Sequence, residues 1–282
     1  GGLHASHLRG SSVDFLAHRE YAPGDDVRDL DWKVRARTDR WVVKEYEQET
    51  NLDLSLVIDA SESMGFGSVE TEGDETLTKF DYAAWIAATL AALALRQRDQ
   101  AAVHLLAGGD NRGPHLPPGG GMGQLAAVLS VLGEAEPDGS VSLPQALRLV
   151  AERTPRRGIV AVLSDLFEED EDGVLAGLAL LRERGHDVVV FQLLDPQEAD
   201  FPFERMTRFQ GMEDAGRLDV DTSAIQTAYL AEVEDFLARM RRGCAAREAS
   251  FVPVRTDAPL DRTLVRWLAA RSARLRRSGG GR

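Results

Sequence analysis

Beyond residue 50 the chain alternates between short, nearly continuous apolar runs and longer segments whose apolar residues recur at helical spacing. The short runs fall at residues 54–59, 101–107, 159–165, 188–194 and 251–254, each of strand length. A run without polar alternation is shielded on both faces, which is the condition of a strand inside a parallel sheet covered by helices. Helical periodicity occupies residues 79–98, 123–132, 143–153, 173–184, 222–243 and 260–272. The alternation predicts an α/β fold, a mostly parallel sheet with helices on both faces. In such a sheet the carboxyl-terminal strand ends share one rim, so Asp59 and Asp165, each closing an apolar run, are predicted to meet there. The glycine-rich residues 119–123 and the acidic residues 70–75 are predicted to be loops.

Residues 12–50 have another texture, with charges interleaved among aromatics and one alternating piece, 41–46, that reads as strand. This stretch is too small for a core of its own. The predicted organisation is an extended layer over residues 1–50 packed on a main domain over 51–272, with a flexible basic tail at 273–282. Within the layer Pro23-Gly24 makes a turn, and Asp25 and Asp26 accept hydrogen bonds from nearby amides or pair with Arg28 or Lys33. Trp32 and Trp41 are predicted to pack the layer on the sheet.

Composition narrows the function classes. A net charge of −13 over 282 residues argues against general nucleic-acid binding, which rests on clustered Lys and Arg. The two basic concentrations, residues 28–44 and 271–282, read as solvated faces. The single cysteine, Cys244, excludes an internal disulfide, no cysteine and histidine cluster has zinc spacing, and a reducing compartment such as the cytoplasm fits. Arg241, Arg242 and Arg247 flank Cys244 and could lower its pKa, although a helix-face cysteine without function is the plainer reading. The longest apolar stretch, residues 82–95, is too short to cross a bilayer, and the amino terminus lacks the order of a secretory signal.

The chemistry concentrates in Asp59-Ala60-Ser61-Glu62-Ser63, directly after the first buried run. One carboxylate and two hydroxyls on alternate positions of a tight loop can face one point, and Asp165 supplies a further oxygen from a second strand end. Such an oxygen-only set suits Mg²⁺ or Mn²⁺, and Ca²⁺ as well, but not zinc. Catalytic alternatives lack their parts. No G-x-S-x-G elbow surrounds Ser61 or Ser63, and His104 and His186 are predicted at strand starts, away from the rim. The position where a strand-end phosphoryl-transfer aspartate needs a second carboxylate holds Ser61. Residues 119–123 lack the Lys and hydroxyl of a phosphate loop, and Gly65-Phe66-Gly67 lacks the third glycine of a dinucleotide loop. The residues therefore favour a non-enzymatic, metal-dependent binding protein over a metal-assisted hydrolase at the same Asp59 and Asp165, or a structural module with a degenerate site.

In this arrangement Asp59, Ser61, Ser63 and Asp165 resemble the metal-ion-dependent adhesion site of von Willebrand factor A domains, a resemblance that covers roughly residues 50–272. Those domains usually add a Thr before a middle helix, and here that position is Val141; Ser140 or Ser142 beside it could supply the hydroxyl. A longer resemblance lies upstream, in Arg19-Glu20-Tyr21-Ala22-Pro23-Gly24-Asp25-Asp26-Val27-Arg28, then Asp31-Trp32-Lys33, Ala36-Arg37-Thr38 and Val43-Lys44-Glu45-Tyr46-Glu47. With Asp200-Phe201-Pro202-Phe203 these are similar to the signature of the bacterial family called domain of unknown function 58 (DUF58). That resemblance implies an adaptor working with a MoxR-type AAA+ ATPase in assembling or activating other proteins, and a protein partner, the ATPase or its client, that places a carboxylate on the metal. Phe201, Phe203 and Phe209 are expected to cap the sheet edge.

Overall fold

The computed structural model of the chain describes residues 12–22, 30–49, 52–71, 75–108, 113–154, 157–202, 207–210, 217–220 and 222–279, in two compact units that divide after residue 51.

In the first unit β1 (Ser12–Glu20) and β2 (Val42–Glu49) form an antiparallel ladder, with the short helix α1 (Trp32–Thr38) between them in sequence. Asp31 starts α1 by accepting the amides of Lys33 and Val34 at 2.9 and 3.2 Å, and its other oxygen lies 2.9 Å from His18 Nε2. Asp39, at φ 58°, ends it. Leu30, Val42 and Val43 are buried. Trp32 and Trp41 are 60% and 46% exposed and meet edge to face at 6.1 Å, with the Arg35 guanidinium 4.3 Å over the Trp41 ring. Within this unit they pack on each other and on a cation. Asp25, Asp26 and Arg28 lie outside the described residues.

The second unit continues with β3 (Asp53–Asp59), a two-strand flap of β4 (Val69–Glu70) and β5 (Thr76–Leu77), and α2 (Lys79–Arg96). Then come β6 (Gln100–Leu106), β7 (His115–Gly119), α3 (Gly121–Gly133), α4 (Leu143–Arg153) and β8 (Ile159–Ser164). The chain closes with α5 (Glu171–Glu183), β9 (Asp187–Leu194), α6 (Pro196–Asp200), β10 (Thr207–Gln210), β11 (Arg217–Val220), α7 (Thr222–Ala246), β12 (Ser250–Arg255) and α8 (Leu260–Gly279). The central sheet runs β12-β9-β8-β3-β6-β7, parallel throughout except for β7, which is antiparallel to β6. β3, β8 and β9 are almost wholly buried, as their unbroken apolar runs require.

Helix packing explains why the sheet is covered closely. On one face α4 and α5 join α7 in a core that includes Leu147, Val150, Leu178, Leu181 and Met240. Gly177 makes this approach possible, since a Cβ there would stand 2.7 Å from Leu147 Cβ. Two predicted boundaries move. The glycine-rich segment is no free loop: Gly119 ends β7, and Gly121 (φ 77°) opens α3. Pro117 and Pro118 sit in β7 because an edge strand tolerates missing amide donors. The predicted basic tail is partly helical, since α8 runs on to Gly279. No helix among the described residues is long and apolar enough to cross a membrane.

Candidate functional site

β3 and β8 are adjacent parallel strands, so Asp59, the last residue of one, and Asp165, directly after the other, emerge side by side. Between them and the start of α4 lies a cavity of about 310 Å³ lined by Asp59, Ser61, Ser63, Ser140, Val141, Ser142, Ser164 and Asp165, with Leu166 to Glu169 on the far wall. Every residue that the sequence places in the site faces this one space. Backbone hydrogen bonds hold its walls together. Ala60 N donates to Leu106 O at 2.8 Å, Glu62 N to Gly139 O at 2.8 Å and Asp138 N to Ala60 O at 3.0 Å, which ties the Asp59 loop to the segment leading into α4.

The two carboxylates are engaged differently. Asp59 receives neutral donors: Ser61 N at 2.9 Å on Oδ1 and Ser164 Oγ at 2.6 Å on Oδ2. Burial first, and then the Asp165 charge, push its pKa up, while the bonds from Ser164 and Ser61 pull it back. A buried carboxylate in this state gains from any cation that reaches it. Asp165 receives Phe167 N at 3.1 Å on Oδ1, and on Oδ2 the Lys79 ammonium at 2.8 Å. Leu166, between them, is buried at φ 62°, a conformation that costs about 1 kcal/mol or more for leucine and is held here by Leu166 N donating to Ser164 Oγ at 2.9 Å. Across this bend Asp165 and the Phe167 ring both stay beside the Lys79 ammonium, at 2.8 and 5.5 Å.

The residues present fit a small hard cation. Ser61 Oγ and Ser63 Oγ stand 3.1 Å apart, close to the cis edge of ~3.0 Å for an octahedron with ~2.1 Å bonds. Among the described residues no group of three or more His, Cys, Asp and Glu is placed to hold a metal, so hydroxyls must supply part of any shell at this rim. Asp59, Ser61 and Ser63 would hold the ion, with Asp165 beside them and Ser140 or Ser142 as further hydroxyls across the cavity. Val141 lines the same cavity while packing against the α4 and α5 core, which accounts for an apolar residue at that point.

Sequence reasoning missed Lys79 and Glu198. Lys79 is fully buried, and its ammonium bridges Asp165 and Glu198 Oε1 at 2.8 and 2.6 Å. Burial alone would lower its pKa, but the two carboxylates outweigh that and hold it above the ordinary value. Burial likewise raises Glu198, against the pull of Lys79. The available signal was a Lys at the first position of an otherwise apolar helix, where a positive charge opposes the helix dipole.

The remaining expectations resolve as follows. Cys244 lies in the core with its thiol pushed up to about 11 by burial, Arg247 alone pulling the other way, so the flanking arginines do not activate it. His104 is mid-strand in β6, buried, and stacked on His115 at 4.5 Å. Phe201 is buried against Tyr229 at 4.6 Å, whereas Phe203 and the Phe209 side chain lie outside the described residues.

The fold and rim define the class, an α/β domain with a mostly parallel sheet and an oxygen-lined cavity at its carboxyl-terminal edge. Comparison with known proteins sets the family: residues 17–238 match the profile of "Protein of unknown function DUF58", and the chain belongs to that family. An uncharacterised protein of Mycobacterium tuberculosis (strain ATCC 25618 / H37Rv) is 28% identical over 297 residues, covering 96% of this chain and 84% of that protein. Among solved structures, an aerotolerance-related membrane protein from Bacteroides fragilis NCTC 9343 shares the fold at a TM-score of 0.50 and 15% identity, over 79% of this chain and 99% of that one. A von Willebrand factor type A structure from Catenulispora acidiphila gives a TM-score of 0.42 at 12% identity, over 82% of this chain and 44% of that one.

Proposed function

We propose that this chain is a non-enzymatic adaptor that binds Mg²⁺ or Mn²⁺ through Asp59, Ser61, Ser63 and Asp165 and receives a carboxylate of a protein partner on the bound ion. The observation that carries the reading is the cavity itself: the strand-end carboxylates Asp59 and Asp165 and several hydroxyls, with Glu168 and Glu169 on the same lining, converge on one space of about 310 Å³. When bound, the cation supplies a Lewis-acidic point that an anionic side chain can complete. The residues of the chain do the rest. Asp59 and the two serines hold the ion, Ser164 fixes the Asp59 rotamer, and the exposed Phe167 stands at the mouth. The imidazoles described in the second unit favour binding over hydrolysis, because His104 and His115 lie mid-sheet and on its edge strand and His186 is buried ahead of β9. The family resemblance points to a MoxR-type AAA+ ATPase or its client as the partner, in the cytoplasm.

The test is partner capture from native lysate with magnesium against chelator, alongside calorimetric titration with Mn²⁺. Wild type should bind Mn²⁺, and Asp59→Ala should lose both the heat and the magnesium-dependent capture while keeping its thermal transition. Equal Mn²⁺ heat from the two proteins would show that the ion sits elsewhere.

A further inference from the structure

We infer that Lys79 is a resident cation of this rim, occupying one oxygen of Asp165 so that a divalent ion is held chiefly by Asp59 and is left short of anionic ligands until a partner carboxylate arrives. The inference rests on the metal reading above and assigns a role to a residue outside the serine and aspartate set.

The ammonium has a built pocket. Its side chain is 1% exposed, Asp165 Oδ2 and Glu198 Oε1 accept from it at 2.8 and 2.6 Å, and the rings of Phe167 and Phe66 lie 5.5 and 6.0 Å away. The main chain is fixed as firmly. Thr78 caps α2 in a reciprocal box with Asp81, and Lys79 N donates to Phe66 O at 2.9 Å. Glu198 is oriented from behind by Asp195 N at 2.9 Å. A lysine buried this completely is costly in itself, and its place at the amino end of a helix adds an opposing dipole. Local structure is thus set against this residue, which is where function is to be sought.

Charge explains what the arrangement does. Both oxygens of Asp165 are already engaged, one by an amide and one by a full positive charge, while the donors on Asp59 are neutral. At the two strand ends a divalent ion meets one carboxylate not paired with a cation, Asp59, and repulsion from the ammonium behind Asp165, while Glu168 and Glu169 line the cavity from the segment after Asp165. Its affinity is thereby held down, and an incoming carboxylate contributes a larger share of the anionic shell. Glu198 moderates the effect by taking part of the ammonium's charge.

Mn²⁺ titration calorimetry on the full chain tests this, with thermal melting in chelator as a control for folding. Lys79→Met should tighten Mn²⁺ binding on the order of tenfold or more, since it removes a nearby positive charge in a medium of low dielectric. Glu198→Gln should weaken binding several-fold, because the ammonium then acts undivided on Asp165 and the ion. If wild type binds Mn²⁺ and Lys79→Met binds it equally, Lys79 is a structural ion pair and the inference falls while the metal reading stands. If wild type takes no Mn²⁺ but Lys79→Met does, the lysine itself fills the ion's place, which overturns the metal reading for the natural chain and with it the inference that a divalent ion is held beside the lysine. Two folded proteins that both take none overturn both. Should Lys79→Met fail to fold, Glu198→Gln decides: weaker binding supports the inference and unchanged binding overturns it.

Discussion

Two strand ends of the same sheet, those of β3 and β9, each finish in a buried aspartate and yet do opposite things. Asp195, after β9, accepts four hydrogen bonds, from Ser68 N at 2.9 Å and the Ser68 hydroxyl, from Gln197 N at 2.8 Å and from Thr256 Oγ1 at 3.3 Å. It thereby joins the loop before β4, the start of α6 and the end of β12. Its lone pairs are spent on the protein. Asp59, the last residue of β3, accepts two and faces a cavity. The same chemical group is a staple at one strand end and a candidate ligand at the other, and the donors brought by distant segments decide which.

The largest expected effect separates the two. Asp195→Ala leaves the Ser68 amide, the Gln197 amide and the Thr256 hydroxyl without their acceptor in a buried place, and should lower the unfolding free energy by about 3–5 kcal/mol in urea denaturation. Asp59→Ala leaves the Ser61 amide and the Ser164 hydroxyl without their acceptor but beside a cavity, and removes a charge that burial already disfavours, so it should cost less, about 1–2 kcal/mol in the metal-free protein. Equal losses would break the comparison.

Acid separates the rim from the body of the sheet. His104, in β6 next to β3, has its pKa lowered to about 4, by burial first and then by His115 and Arg153. The unfolded chain, near 6.5, takes up this proton earlier than the folded one. Stability is therefore complete above pH 6.5 and declines as pH falls toward 4, by about 3 kcal/mol from this group. Denaturation midpoints from pH 7 to pH 4 should show that slope, and His104→Leu should flatten it. A slope that survives the substitution would assign the acid sensitivity to other groups, the rim carboxylates among them.

The parts of the molecule legible in sequence were those with local signatures. Five central strands announced themselves as unbroken apolar runs, six helices by periodicity, and Asp59, Ser61, Ser63 and Asp165 by their place at strand ends. What escaped depends on partners far along the chain. β7 carries two prolines and no apolar run, and it forms because β6 offers an open edge. α1 has no buried apolar face, and the cap from Asp31 is its main local signal. Lys79 reads as the charged flank of an apolar helix, and its meaning appears only when Asp165, 86 residues on, and Glu198, 119 residues on, close around it. Three aspartates close similar strands; the serines at 61 and 63 mark Asp59, but nothing within five residues of Asp165 or Asp195 announces the ion pair of one or the staple made by the other.

The smallest expected effect concerns Val141, where the resemblance to von Willebrand factor A domains leads one to expect Thr. Val141 both lines the cavity and packs against the core formed by Leu143, Ala146 and Leu147 with α5. Thr has nearly the same shape, so Val141→Thr keeps the packing and exchanges one methyl for a hydroxyl, at a cost below about 1 kcal/mol if that hydroxyl turns to the cavity. There it would offer one more oxygen opposite Ser61 and Ser63. Mn²⁺ titration should then show binding tightened by a few-fold, with the melting temperature in chelator nearly unchanged. The gain is small because a hydroxyl replaces, at best, a bound water, and adds no charge. Unchanged affinity would mean that Ser140 or Ser142 already occupies that position, since both line the cavity on either side of Val141. A fall in stability without any gain in affinity would show the residue-141 side chain turned wholly to the core. In that case the rim on the α4 side contributes shape and no ligand, and the contrast between β3 and β9 rests on Asp59 and its two serines alone.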